Sequence, residues 1–132
     1  MSKHRPNVVI GTREYTPEEV LPFAGPKAPE REYDGFRVRM TSLRYQVFAR
    51  SCACVSCGVE GTVMLLEQEP SDPKHPSDRA HFNLYARTPA GLVMMTKDHF
   101  IPRSRGGSDH VANLQTMCFP CNRQKGGHLE EG

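Results

Sequence analysis

The spacing of apolar and polar residues along the chain predicts three β-strands in its middle part. Apolar and polar residues alternate in H-F-N-L-Y-A-R (81–87), so that Phe82, Leu84 and Ala86 share one face of a strand. Two apolar runs, T-V-M-L-L-E-Q-E (62–69) and L-V-M-M-T-K (92–97), are typical of further strands. Polar loops rich in proline and glycine separate the three segments, and we expect the strands to pair antiparallel.

Two short helices are predicted outside this strand region. The segment 43–50 has apolar residues at helical spacing and follows Thr41 or Ser42, either of which can cap a helix. Thr16 precedes Pro17 and two glutamates, a pattern typical of a helix N-terminus. Short helices combined with antiparallel strands predict a small domain of the α+β class.

We expect an extended, proline-rich N-terminal arm over 1–35 and a folded domain over 36–132. The arm carries five prolines and few apolar anchors, and we expect it to be mostly irregular, either draped over the domain or partly disordered. In the chain of 132 residues as a whole, apolar residues make up 37%, Trp is absent, and there are 11 Pro and 11 Gly. Such a composition builds a modest core that would gain stability from an additional cross-link.

The charge, the hydropathy and the cysteines of the chain indicate its location in the cell and the partners that it can bind. The formal net charge of +2 does not by itself indicate a nucleic-acid-binding protein, but the C-terminal region is locally basic. No apolar run approaches the roughly 20 residues of a membrane span, and the N-terminus lacks the apolar segment of an export signal. We therefore expect a cytoplasmic protein, no membrane partner, and cysteines that bind metal rather than form disulfides.

Four of the five cysteines form two C-x-x-C pairs, Cys54 with Cys57 and Cys118 with Cys121. A C-x-x-C turn directs two thiolates at one ion, and structural zinc prefers four such ligands, so the pairs predict a zinc site. Gly58 after Cys57 would relieve strain in the turn. The alternative is a redox dithiol, but neither pair lies in a βαβ context. Cys52 is left over as a buried or spare thiol.

The region from about Arg44 to Gly127 resembles the HNH endonucleases. The resemblance lies in D-H-F-I-P-R-S-R-G-G (98–107), N-L-Q-T-M-C (113–118) and C-N-R-Q-K-G (121–126), framed by the two cysteine pairs. It implies a ββα-metal fold, in which a strand ending in His, a loop, a second strand and a metal-binding helix follow one another. It also implies metal-dependent hydrolysis of DNA that leaves a 5′-phosphate and a 3′-hydroxyl.

The resemblance implies a role for each of four residues, and the chemistry of the side chains agrees. His99 is the expected base, because imidazole titrates near neutral pH. Asp98 and Asn122 offer the oxygen ligands that Mg²⁺ or Mn²⁺ prefers, and the resemblance implies that they hold the catalytic ion. Asn113 is expected to steady the loop and orient His99. Because adjacent residues of a strand face opposite sides, we expect the strand to end or bulge at Asp98 and His99.

Basic residues flank this site, and we expect them to contact phosphate: Arg103, Arg105, Arg123 and Lys125. Gly106 and Gly107 would allow a phosphate backbone to approach closely. The alternative is a solvated basic surface. Two other functions also fit the sequence, namely a zinc-stabilised nucleic-acid-binding or assembly module that does not cut, and a nuclease that acts on RNA. So small a nuclease would gain targeting from a protein partner or from homo-oligomerisation.

Overall fold

The computed structural model describes residues 7–70 and 73–131, with side chains described as far as residue 126. Residues 1–6 of the expected N-terminal arm lie outside the described residues. The strands are β1 (Val8–Val9), β2 (Arg31–Tyr33), β3 (Phe36–Val38), β4 (Val63–Gln68), β5 (Arg79–Thr88), β6 (Gly91–His99) and β7 (Leu114–Cys118). The helices are α1 (Pro17–Val20), α2 (Leu43–Arg50) and α3 (Phe119–Glu131).

The predicted α+β class is confirmed, because the helices accompany a mostly antiparallel sheet. In this sheet β5 has three neighbours. The strands β1, β4, β5, β3 and β2 lie in that order, while β6 pairs with β5 and β7 with β6. Every pair is antiparallel except β3 with β5, which is parallel. The start of β5 pairs with β3 at Arg79 and Ala80, and its end pairs with β6 from Tyr85 to Thr88.

Helix α2 fills the gap that β5 leaves where it changes partner. Phe82 lies between the two paired stretches of β5, and its N–H donates to the Tyr45 hydroxyl at 2.7 Å. The Phe82 carbonyl accepts from Arg44 Nη2 at 2.6 Å. Both side chains belong to α2, so this helix satisfies the backbone groups that the sheet leaves unpaired.

The predicted face of β5 forms the centre of the core. Phe82, Leu84 and Ala86 are all fully buried. Around Phe82 the rings of Tyr15 and Tyr33 pack edge to face, with centroids 5.2 and 4.9 Å from the Phe82 ring. These tyrosines come from the N-terminal 35 residues, so this segment supplies part of the same core. The division into an arm over 1–35 and a domain over 36–132 stays a prediction.

Both predicted helix starts are confirmed. Helix α1 begins at Pro17 after Thr16, and the Glu19 carboxylate accepts from the Thr16 N–H at 2.8 Å. Helix α2 follows Ser42. Because these caps depend on residues only a few positions apart, the local sequence is sufficient to predict them.

The opposite face of the sheet contains a buried carboxylate. Glu67 on β4 is buried and accepts hydrogen bonds from the Asn83 amide, at 2.7 Å, and from the Tyr85 hydroxyl. Burial and the bond to Glu67 raise the pKa of Tyr85, so its hydroxyl remains a donor. Both partners lie on β5, which makes this network a cross-strand contact between β4 and β5.

Candidate active site and cysteine cluster

Strand β6, a loop, strand β7 and helix α3 follow one another in the order that the resemblance implied. Strand β6 ends at His99, and its pairing with β7 stays in register through Asp98 opposite Gln115 and His99 opposite Leu114. The strand therefore ends at the expected place, without a bulge. Asp98 and His99 leave the strand in different directions and contact different elements.

Helix α3 lies against β6 through two hydrogen-bonded contacts. Asn122 Nδ2 donates to Thr96 Oγ1 at 2.7 Å, and one turn further along Lys125 Nζ donates to Asp98 Oδ2 at 2.5 Å. Thr96 and Asp98 lie two residues apart and so share a face of the strand. Asn122 and Lys125 lie three apart and share a face of the helix. These facing pairs bring Asp98 and Asn122 to adjacent places.

The Thr96 hydroxyl fixes the orientation of the Asn122 amide. A hydroxyl has one hydrogen, and that of Thr96 is donated to the Met117 carbonyl at 2.7 Å. Thr96 must therefore accept from Asn122, which places the amide nitrogen toward Thr96. The carbonyl oxygen Oδ1 of Asn122 is directed away and has no hydrogen-bond donor among the described residues.

Asp98 is held by two donors on the same oxygen. Besides Lys125, the Gln115 amide donates to Oδ2 at 3.0 Å. Its other oxygen, Oδ1, has no donor in the described part of the chain. Lys125 also donates to the His99 carbonyl at 3.0 Å, and its side chain is 27% exposed. The sequence predicts a phosphate contact for Lys125, and these contacts with Asp98 and His99 are not evident from it.

His99 contacts a residue that the sequence analysis did not single out. Its Nε2 lies 2.7 Å from Asp109 Oδ1, in the loop between β6 and β7. The His99 side chain is 21% exposed and therefore remains accessible from solvent. The contact joins residues ten positions apart, and no feature of spacing or composition indicated it.

Asn113 organises the loop that carries Asp109. Its Oδ1 accepts from the Ile101 N–H at 2.8 Å, and its Nδ2 donates to the Ile101 carbonyl at 3.0 Å. The same Nδ2 donates to the Ser108 carbonyl at 2.8 Å. The amide of Asn113 thus bonds to both the N–H and the carbonyl of Ile101, as the backbone of a neighbouring strand would. All of its partners are backbone groups.

The two glycines of the loop serve the chain's own backbone. Gly106 has a φ of 87°, in the left-handed region that glycine adopts without strain. A Cβ atom at Gly107 would lie 1.7 Å from the Ile101 carbonyl oxygen, so only glycine fits there. From the sequence, these glycines were expected to admit an approaching phosphate backbone. The backbone that approaches closely in the structure is that of Ile101.

The three arginines expected to contact phosphate are exposed beside the site: Arg103, Arg105 and Arg123. Arg103 forms an ion pair with Asp109, with Nη2 2.9 Å from Oδ2. Phe100, the residue after His99, is 69% exposed. The exposed side chains of Phe100 and Arg103 therefore lie near His99, the first as its neighbour in the chain and the second through Asp109.

The four cysteines of the two C-x-x-C pairs come together. Their sulfur atoms all lie within 4.8 Å of one another, and Cys57 Sγ is 3.8 Å from Cys118 Sγ. Thiolates that bind one tetrahedral zinc ion at about 2.3 Å are separated by about 3.8 Å. The cluster therefore has the donor set and the spacing that zinc requires.

Local structure explains how each pair is directed into the cluster. The first pair lies in a tight turn closed by the Gly58 N–H donating to the Cys54 carbonyl at 2.9 Å, and Gly58 has a φ of 82° as this turn requires. Burial disfavours the Cys54 thiolate, but the backbone N–H groups of Cys118, Cys57 and Ser56 lower its pKa to about 6. A low pKa suits a metal-binding thiolate.

Cys52 lies outside the cluster. Its thiol donates to the Phe48 carbonyl at 3.4 Å, and burial raises its pKa to about 11. The side chain is therefore a protonated thiol at neutral pH, which agrees with its interpretation as a spare cysteine.

Comparisons with known proteins gave a match for the C-terminal third of the chain. Residues 90–132 match the family model described as HNH endonuclease. Neither the curated proteins nor the solved structures gave a match. In the described part of the chain, no helix has the length and apolar character needed to cross a membrane. The matched segment contains the whole of β6, the loop, β7 and α3, and it is this part of the chain that is similar to the HNH endonuclease family.

Proposed function

We propose that this protein is a metal-dependent endonuclease that hydrolyses phosphodiester bonds of DNA. Similarity of the matched segment to a nuclease family supports a nucleic acid as substrate. The observation that carries the proposal is the pair of contacts between β6 and α3, which brings the carboxylate of Asp98 beside the amide of Asn122. A carboxylate and an amide carbonyl are the oxygen ligands that Mg²⁺ and Mn²⁺ prefer.

The Oδ1 atoms of Asp98 and Asn122 are the ligands that we propose for a divalent cation. Each side chain has one oxygen, Oδ1, without a donor among the described residues, while its other polar atom is held by the protein. The two residues would hold the cation, which would neutralise charge on the phosphate in the transition state. Lys125 fixes the carboxylate that it contacts, so we assign it a positioning role for Asp98 in addition to the expected phosphate contact.

His99 is the proposed general base. It ends β6 at the rim of the site, where its partly exposed ring can reach a water molecule beside the phosphate. In the proposed reaction this ring takes a proton from the attacking water as the water oxygen bonds to phosphorus and the P–O bond to the 3′-oxygen breaks. The leaving 3′-oxygen takes up a proton from solvent water, which gives a 5′-phosphate and a 3′-hydroxyl. Asn113 would act through the loop, since its contacts are with the backbone of Ile101 and Ser108.

Cys54, Cys57, Cys118 and Cys121 are proposed to hold a structural zinc ion. The last two flank the junction between β7 and α3, so a metal there would fix the helix that carries Asn122. Zinc bound by four thiolates has no open position, which gives it a structural rather than a catalytic role.

The proposed endonuclease activity is tested by incubating purified protein with supercoiled plasmid. We expect cleavage with Mg²⁺ or Mn²⁺ and none with EDTA added briefly to zinc-loaded protein. Asp98→Ala and Asn122→Ala are expected to raise the Mg²⁺ concentration needed for half-maximal rate, because each removes one oxygen ligand. Asp78→Ala is the matched control, since this exposed aspartate pairs with Arg37 far from the site in sequence.

The same assay separates the other candidate functions. Cleavage of RNA but not of DNA would assign an RNA nuclease. Binding to DNA without cleavage of either nucleic acid, with every divalent cation tried, would refute the enzymatic proposal and favour the binding or assembly module. The cytoplasmic location and any protein partner or homo-oligomer remain predictions from the sequence.

DNA affinity is expected to depend on phosphate contacts by the exposed arginines. Arg105→Ala and Arg123→Ala should each weaken binding to unrelated sequences to a similar extent and lower the slope of log affinity against log salt by about 0.9. Arg31→Ala is the matched control, because this arginine stacks over Phe23 outside the matched segment. A loss of affinity confined to one DNA sequence would instead indicate recognition of bases.

A further inference from the structure

Three side chains at the end of β6 and in the loop that follows it form a continuous chain of contacts. His99 Nε2 lies 2.7 Å from Asp109 Oδ1. Arg103 donates to both oxygens of the same carboxylate, from Nε to Oδ1 at 3.0 Å and from Nη2 to Oδ2 at 2.9 Å. The forked guanidinium thus holds both oxygens of Asp109, and Oδ1 also contacts the proposed base.

The ionised state of Asp109 determines which ring nitrogen of His99 carries the proton. Hydrogen bonds from His99 and then from Arg103 lower the pKa of Asp109, so its carboxylate is ionised at neutral pH. An ionised carboxylate only accepts hydrogen bonds. Nε2 of His99 must therefore be the donor, and in the neutral ring the lone pair lies on Nδ1.

The loop keeps Asp109 in place by contacts of its own. Asn113 holds the Ser108 carbonyl, immediately before Asp109, at 2.8 Å. The Gly107 N–H donates to the Pro102 carbonyl at 2.9 Å, which closes the loop close to its start. Asp109 therefore reaches His99 from a backbone whose shape is fixed independently of the ring.

We propose that Asp109 is a positioning residue that selects the tautomer of His99 with Nδ1 free to accept a proton, and that Arg103 holds Asp109 for this task. The proposal rests on the proposed function only in taking His99 as the base. A base in the wrong tautomer presents a hydrogen to the attacking water instead of a lone pair and cannot accept its proton. Arg103 also balances the charge of Asp109, which would otherwise repel the phosphate.

The tautomer can be measured without any cleavage reaction. In protein labelled with ¹⁵N-histidine, two-bond ¹H–¹⁵N spectra at a pH where the ring is neutral distinguish a protonated Nε2 from a protonated Nδ1. We expect the Nε2–H form for His99 in the wild type and a mixture of both forms in Asp109→Ala. A wild-type His99 with its proton on Nδ1 would overturn the proposal, even if no variant folds.

Kinetics supply the second measurement. Asp109→Ala is expected to lower kcat by about tenfold or more with little change in KM, as is typical when the partner of a functional histidine is removed. Asp109→Glu should restore part of the loss. In a His99→Ala background, Asp109→Ala should have no further effect, because it acts through the ring. An unchanged kcat in Asp109→Ala would overturn the positioning role.

These measurements also separate this proposal from the proposed function. If the wild type cleaves no nucleic acid, the enzymatic proposal fails. The Nε2–H tautomer and its loss in Asp109→Ala would still support the selection of the tautomer by Asp109. Zinc content and far-ultraviolet circular dichroism of each variant show whether its fold is retained.

Discussion

His99→Ala is expected to reduce the rate of DNA cleavage by about 10² or more. The substitution removes the only imidazole that ends β6 beside Asp98, while leaving intact the backbone carbonyl to which Lys125 donates. The contacts that hold Asp98 and Asn122 do not involve the ring, and the loop loses its contact through Asp109 but keeps those of Asn113, so metal binding and fold should persist. The measurement is single-turnover cleavage of a labelled duplex at saturating Mg²⁺.

The matched control is His75→Ala, which removes an exposed histidine from the loop before β5. It should leave the rate unchanged. Binding of DNA by His99→Ala, measured by fluorescence anisotropy in Ca²⁺ or EDTA, should remain within about twofold of the wild type. If His99→Ala cleaves at the wild-type rate, His99 is not the base, even though the segment that contains it matches an endonuclease family model.

Removal of zinc is expected to unfold the domain and not merely to inactivate it. Binding of metal by four thiolates contributes free energy only to the folded state, typically about 10 kcal/mol or more for structural zinc. Cys118 is 4% exposed, ends β7 and packs against the core. Prolonged treatment with a strong chelator, or Cys118→Ser, should therefore abolish the cooperative thermal transition seen by circular dichroism.

Cys52→Ser provides the control for the loss of a thiol. This cysteine lies outside the cluster, so the variant should retain one zinc ion per chain and a cooperative transition. Elemental analysis of the purified wild type gives the direct measurement. A folded, cooperative preparation that contains no zinc would contradict the assignment of the four cysteines as ligands.

Local patterns in the sequence were sufficient for the elements that depend on near neighbours. The alternation in 81–87 predicted the buried face of β5, because side-chain direction in a strand has a period of two. The start of α1 at Pro17 followed from a capping residue and acidic residues within one turn. The hairpin of β2 and β3 was missed although Asp34 and Gly35, both with positive φ, form a dipeptide typical of such turns.

Contacts between distant parts of the chain could not be predicted in the same way. Lys125 was expected to reach outward to phosphate, yet the packing of α3 against β6 directs its ammonium group to Asp98. The role of Asp109 was not predicted, because an aspartate in a polar loop is ordinarily solvated. Its contact with His99 depends on the path of the loop. That path is set by the hydrogen bond from Asn113 to the Ser108 carbonyl and by the close packing of Gly107 against the Ile101 backbone, neither of which is evident from the sequence.

The cysteine cluster can form only late in the synthesis of the chain. Cys57 precedes Cys118 by 61 residues, so a growing chain carries the first two thiolates long before the last two exist. The segment 118–125 supplies both remaining thiolates together with Asn122 and Lys125. A nascent chain can therefore complete neither the cysteine cluster nor the β6–α3 contact until that segment has emerged from the ribosome. Translation thus delays the assembly of the proposed active site until the strands that support it have been made.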